Sequence, residues 1–159
     1  MNSARVEGAL RLCEAHIGAL ASGSPYSVEI ESFLVSFLST TIVAEFEGQI
    51  KMAFCERAER CGDLPVAAFV EKVLTRRFWN PELSKLADVL GEFDSAQKAA
   101  FMRRVENTAS HAAWDNLIRA RHEVVHKRGV PSLTLRELRT TFESSKAVVS
   151  ELRSVLGLT

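Results

Sequence analysis

The sequence lacks the patterns that mark several large protein classes. Its 159 residues contain only three cysteines, Cys13, Cys55 and Cys61, which form no CxxC pair. This argues against a secreted disulfide scaffold and against a cysteine zinc site, so we expect a reducing, cytoplasmic location. Alternating β-branched segments and Asn-Gly or Asp-Gly turns are also missing. Without these strand and hairpin signals, no sheet is expected.

An excess of charge of one sign is absent too. Twenty Lys and Arg balance twenty Asp and Glu, so the formal net charge at pH 7 is zero. A protein that coats nucleic acid indiscriminately is normally basic, and neutrality argues against that class. The balance is uneven along the chain, because residues 1–60 carry eight negative and five positive side chains, whereas residues 98–128 carry three negative and seven positive ones. One local basic surface therefore remains compatible with the composition.

Long uninterrupted hydrophobic runs are missing as well. The most apolar stretch, Phe33–Phe54, is interrupted by Glu45, Glu47 and Lys51, and charged residues interrupt the first twenty positions. We therefore expect neither a membrane partner nor a signal peptide, and interpret the first segment as an amphipathic helix.

Helical spacing of apolar residues fills most of the chain. We predict an all-α helical bundle in one domain, residues 1–159, with a long, buried second helix at its centre. Asn80-Pro81 is a typical helix start, and Thr134 with Glu137 matches a capping box. The predicted helices are Val6–Leu20, Val28–Arg60, Pro65–Phe78, Pro81–Leu90, Ala96–Glu106, Ala112–Lys127 and a last helix from the capping box to Leu156.

One segment, residues 118–130, carries the chemistry. His122-Glu123-Val124-Val125-His126 matches the HExxH pattern. On a helix, this spacing lets two imidazoles share a zinc ion while the glutamate acts as a base. A zinc hydrolase is a distant alternative, because no edge strand for a peptide substrate is predicted. Nothing selects its third ligand among Glu137, Glu143 and Glu151.

Arg121 supports a different interpretation of the same segment. It lies on the apolar stripe of its helix with Trp114 and Leu117, where an unpaired guanidinium is costly. Such an arginine needs a carboxylate or an anion such as phosphate. His126 follows five residues later, about 140° around the helix axis. An arginine for phosphate charge and a histidine for proton transfer are the minimum for phosphodiester cleavage without a metal cofactor.

The string Arg121-His122-x-x-x-His126, followed by Lys-Arg-Gly-Val, resembles the R-x4-6-H motif of HEPN domains and is most similar to the RiboL-PSP type. Phe46–Ile50 resembles the Phe-Glu segment of the family's second helix. Arg77–Glu82, running on to Gly91–Phe93, resembles the helix that starts at Asn-Pro between the two halves.

The resemblance implies a bundle that forms a homodimer with two motifs facing each other across the interface. Many members are metal-independent endoribonucleases, and several are toxins of toxin–antitoxin or phage-defence systems, so RNA and an antitoxin protein are the implied partners. Arg121 would bind the scissile phosphate, His126 would act as general acid or base, and His122 would occupy the auxiliary polar position. Glu47 matches the polar position of the second helix and is a natural partner for Arg121.

Alternatives remain open at this stage. Other HEPN members are inactive modules that bind RNA, a nucleotide or a protein. Arg121 with Glu47 would then be only a buried ion pair between two helices, and His126 would complement a helix dipole. The flanking Arg119, Lys127 and Arg128 would hold RNA phosphates on either side of a cut, or form a docking face for a protein.

Overall fold

The computed structural model of the chain describes residues 3–20, 26–77, 81–127 and 133–158. These residues form seven α-helices and no strand, which confirms the predicted all-α bundle. The helices are α1 (Ala4–Ala19), α2 (Ser27–Glu59), α3 (Leu64–Arg77), α4 (Leu83–Phe93), α5 (Ser95–Val105), α6 (Ala109–Lys127) and α7 (Leu135–Val155).

The centre of the bundle is α2, a helix of 33 residues that is about 50 Å long. It packs against α1, α3, α6 and α7. Its buried residues include Leu38, Ile42, Phe46 and Ile50, each at most 1% exposed. Buried apolar side chains from all seven helices join these residues in one cluster. The predicted position of the second helix is therefore confirmed.

By length and composition alone, α2 is apolar enough to cross a membrane, contrary to the expectation from its interrupting charges. The core helix of a folded domain satisfies the same criterion, and α2 has that position here. Only 28% of its apolar 18-residue window is buried, so burial within the bundle accounts for part of its apolar composition and leaves the rest in solvent.

The last helix, α7, runs parallel to α2. Near the start of both helices, the backbone N–H of Leu135 donates to Glu31 Oε1 at 2.9 Å. Near their ends, Arg153 donates to Glu56 Oε2 at 2.9 Å. Because the two contacts follow the same order along both helices, α2 and α7 point in the same direction.

The motif helix α6 runs antiparallel to α7 and therefore to α2. The ring of Phe46 contacts Trp114 and Phe142, with centroid distances of 5.1 and 5.6 Å. Leu133, which precedes α7, lines a small cleft with Arg119 and Ala120 of α6. The C-terminal half of α6 thus lies at the same end of the bundle as the N-terminal half of α2. We call this end the motif end.

The start of α4 differs from the prediction. The helix begins at Leu83 with Glu82 as its N-cap, so Pro81 is not its first residue, and Asn80 lies outside the described residues. Pro81 is buried, and its carbonyl oxygen accepts a 2.7 Å hydrogen bond from Trp114 Nε1. The hydrogen bond therefore connects the residue before the N-cap of α4 to α6.

The end of α4 was also predicted too early, because the helix continues through Gly91 to Phe93. Asp94 then ends α4 and caps α5, since its side chain accepts hydrogen bonds from the backbone N–H groups of Ala96 and Gln97. The capping box of α7, by contrast, forms as predicted between Thr134 and Glu137.

Candidate functional site

The motif lies where α6 emerges from the core. Trp114 and Leu117, in the first half of the helix, are completely buried. On the same face one to two turns later, Arg121 is only half-buried and Val125 is 45% exposed. The apolar stripe that anchors α6 therefore continues into solvent at the motif end, and Arg121 lies on this partly exposed continuation.

Arg121 forms no hydrogen bond or ion pair within the described part of the chain. The predicted pairing with Glu47 is wrong, because Glu47 Oε1 instead accepts from Lys51 Nζ at 2.7 Å. The reason is the antiparallel packing. Trp114 is level with Phe46, and Arg121 lies seven residues, about 10 Å, farther from Glu47 along the bundle. A lysine one turn away on α2 is within reach of the carboxylate.

The two histidines of the motif lie side by side on the surface. His122 and His126 are both exposed, and their ring centroids are 4.5 Å apart with an interplanar angle of 44°. Residues four apart occupy one face of a helix, whereas Arg121 points about 100° away from His122 around the axis. The site therefore offers two solvent-accessible imidazoles and, on another side of the same helix end, a guanidinium that no described residue neutralises. These groups can transfer protons and bind an anion.

Of the three flanking cations, the structure describes one. Arg119 is exposed and lines the cleft that separates α6 from Leu133. The side chain of Lys127 and the whole of Arg128 lie outside the described residues. Arg119 thus adds positive charge two residues before Arg121.

The three-ligand zinc site of the distant alternative does not form in the described ranges, where no three His, Cys, Asp or Glu residues cluster. Each candidate third ligand is engaged elsewhere. Glu137 belongs to the capping box, and the hydrogen bond from the backbone N–H of Thr134 holds the pKa of this carboxyl below its ordinary value. The other two bind cations: Glu143 contacts Lys146, and Glu151 contacts Arg104.

Exposed apolar side chains at the motif end are a feature that the sequence prediction missed. Phe33 and Phe37 belong to the helix that was predicted to be buried at the centre, yet they are 73% and 62% exposed. Val28 is exposed on the same half of α2. The sequence contained an indication of this exposure, because apolar residues surround the whole circumference of α2. A helix of this kind in a small bundle has too few neighbours to bury every side.

No family model, no curated protein and no solved structure matches this chain. The resemblance to HEPN domains accordingly depends on the motif residues and the helical architecture themselves.

Proposed function

We propose that the protein is a metal-independent endoribonuclease of the HEPN type, with Arg121 and His126 as its catalytic residues. One observation carries this proposal: Arg121 is half-buried, no residue that the structure describes pairs with it, and it lies on the same exposed helix end as two accessible imidazoles. A guanidinium held in this way is available for a phosphate, and its desolvation strengthens such a contact.

The chemistry that fits these groups is attack of a ribose 2′-hydroxyl on the adjacent phosphorus. A base removes the hydroxyl proton, the bond from phosphorus to the 5′-oxygen breaks, and an acid protonates the departing oxygen. His126 supplies the imidazole for one of these transfers, and Arg121 stabilises the charge that builds on the non-bridging oxygens. His122, beside His126, is the auxiliary polar group. No metal ion or other cofactor is needed for these steps.

A homodimer completes the proposed site. Acid and base act on opposite sides of the scissile bond, and two facing copies of the motif provide one histidine for each. The exposed Val28, Phe33, Phe37 and Val125 lie at the motif end, where a second copy would cover them and bring the motifs together.

The proposed substrate is a short, single-stranded RNA segment. Arg119 provides positive charge beside the motif, and so do Lys127 and Arg128, which follow the motif in the sequence. The net charge of the protein is zero, which disfavours indiscriminate binding of nucleic acid. In this proposal the enzyme acts in the cytoplasm as a toxin of a toxin–antitoxin or phage-defence system, and an antitoxin protein is a further partner.

The decisive experiment is RNA cleavage by purified protein with and without EDTA, beside Arg121→Ala and His126→Ala variants. We expect cleavage to survive EDTA and to fall by about 100-fold or more in each variant. Arg57→Ala and His16→Ala are the controls, since Arg57 is half-buried like Arg121 but lies near the opposite end of α2, and His16 is an exposed histidine on α1. Both controls should cleave like the wild type.

Other outcomes separate the alternatives. RNA binding without cleavage by the dimeric wild type would assign the protein to the inactive HEPN modules. Loss of cleavage on chelation would favour the zinc hydrolase. Equal activity of wild type and Arg121→Ala would refute the proposed role of the arginine.

A further inference from the structure

The spacing of the two imidazoles on α6 bears on metal binding as well as on proton transfer. His122 and His126 lie one helical turn apart, both exposed, with ring centroids separated by 4.5 Å. Their rings are tilted by 44°, so they are not stacked face to face. Nothing in the described part of the chain hydrogen-bonds either ring.

This separation matches what one metal ion requires of two imidazoles. With metal–nitrogen bonds of about 2.1 Å and nitrogen–metal–nitrogen angles of about 90–110°, two bound rings have centroids about 4.5–5.2 Å apart. The observed 4.5 Å lies at the lower limit of that range. Small side-chain rotations at the exposed surface suffice to direct one nitrogen of each ring at a common point.

The ligand types select the class of cation. Imidazole nitrogen suits zinc, nickel and copper, whereas magnesium and calcium require oxygen ligands. No cluster of three or more ligating side chains includes these histidines within the described ranges. Water would fill the remaining coordination positions, and the adjacent positive charges of Arg119 and Arg121 make binding weaker than in a closed structural site.

We propose that His122 and His126 form a two-histidine site for a divalent transition-metal ion of the zinc, nickel or copper type, and that its occupation inhibits the enzyme. The inhibition rests on the proposed function, whereas the binding does not. A ring nitrogen that shares its lone pair with a metal ion cannot accept a proton. A bound ion therefore removes His126 from proton transfer and places two further positive charges beside Arg121.

Binding is measured by titrating untagged protein with nickel and with zinc in a calorimeter. All proteins carry Cys61→Ser, because the exposed thiol of Cys61 would compete for these ions. We expect one ion per chain, and at least tenfold weaker binding in His122→Ala and in His126→Ala. His16→Ala, which removes an exposed histidine from α1, should bind like its parent, and excess magnesium should not compete.

Cleavage is measured on the same proteins at metal concentrations that span the measured Kd. We expect the parent and His16→Ala to lose activity as the site fills, and EDTA to restore it. Failure of His122→Ala or His126→Ala to weaken binding would overturn the site, whatever the activity. Full cleavage by the metal-saturated protein would overturn the inhibition. If the protein binds metal through both histidines yet cleaves no RNA when metal-free, the proposed function fails while the site stands.

Discussion

At the scale of one residue, the surroundings of Arg121 agree with the function proposed for it. Its guanidinium is half-buried on the face that anchors α6, and within the described chain no partner offsets the loss of hydration. A residue that served stability would be paired. We therefore expect Arg121→Ala to lower cleavage by about 100-fold or more while its thermal midpoint stays equal to that of the wild type or rises, as a melting curve would show. A midpoint lowered by several degrees would instead indicate a structural role.

Trp114 is the opposite case, a structural residue on the same helix. It is fully buried against Phe46, and its Nε1 donates to the carbonyl oxygen of Pro81 at 2.7 Å. We expect Trp114→Phe to destabilise the protein by about 2–3 kcal/mol, because it leaves a cavity and a buried carbonyl without a donor.

Urea unfolding followed by circular dichroism measures this loss. Phe101→Leu is a suitable comparison, since Phe101 is fully buried and its replacement leaves a cavity without removing a hydrogen bond. Trp114→Phe should be the more destabilising of the two. An equal or smaller effect would show that the bond to Pro81 contributes little.

At the scale of elements, charged contacts attach α1 to α7. Lys146 donates to Glu7 Oε1 at 3.0 Å, and Arg139 donates to Glu14. A hydrogen bond from Ser3, and then Lys146, lower the pKa of Glu7 from its ordinary value. A carboxyl whose pKa is lowered by folding stabilises the folded state above the ordinary glutamate pKa of about 4.3, and this contribution is lost as the pH falls below that value.

Glu7→Gln should therefore reduce the dependence of stability on pH in the acid range. We expect its urea midpoint to be lower than that of the wild type at pH 7 and to fall less between pH 5 and pH 3. Glu29→Gln, an exposed change at the start of α2, is the control and should follow the wild type. Parallel curves for wild type and Glu7→Gln would contradict this account of Glu7.

The helices also show which boundaries local sequence can predict. The α7 capping box formed as predicted because Thr134 and Glu137 satisfy each other within one turn. The predicted start of α4 was two residues too early, since the helix begins at Leu83 with Glu82 as its N-cap, and the carbonyl oxygen of Pro81 instead accepts from Trp114, 33 residues away. The pattern within one turn thus predicted the start of α7, whereas the pattern around Asn80-Pro81 did not predict the start of α4.

At the scale of the whole molecule, apolar side chains are exposed at the motif end and also on α3, where Leu64 and Phe69 are 74% and 66% exposed. The proposed dimer concerns the first of these surfaces. Phe33 and Phe37 lie one turn apart on α2 and are both more than half exposed. In the proposed homodimer, a second copy would cover them, remove this surface from water and bring two motifs together. We expect the wild type to be a dimer at micromolar concentration, and Phe33→Glu to weaken dimerisation at least tenfold with a parallel loss of cleavage.

Sedimentation velocity measures this change. Phe69→Glu is the matched control, because Phe69 is 66% exposed on α3, where it lines a groove with Asp88 and Phe93 of α4 away from the motif. This variant should remain dimeric and active. A monomeric wild type, or a Phe33→Glu variant that dimerises like the wild type, would refute the proposed interface.

The sequence by itself determined the helical class, the central place of α2 and the spacing of the motif residues. These follow from periodicity and local capping, which neighbouring residues decide. Only the tertiary structure decided that Arg121 has no partner among the residues described, that Glu47 binds Lys51, and that Phe33 and Phe37 face solvent. The physical reason is that direction and offset between packed helices determine which side chains meet, and a helical pattern defines a face without defining what covers it.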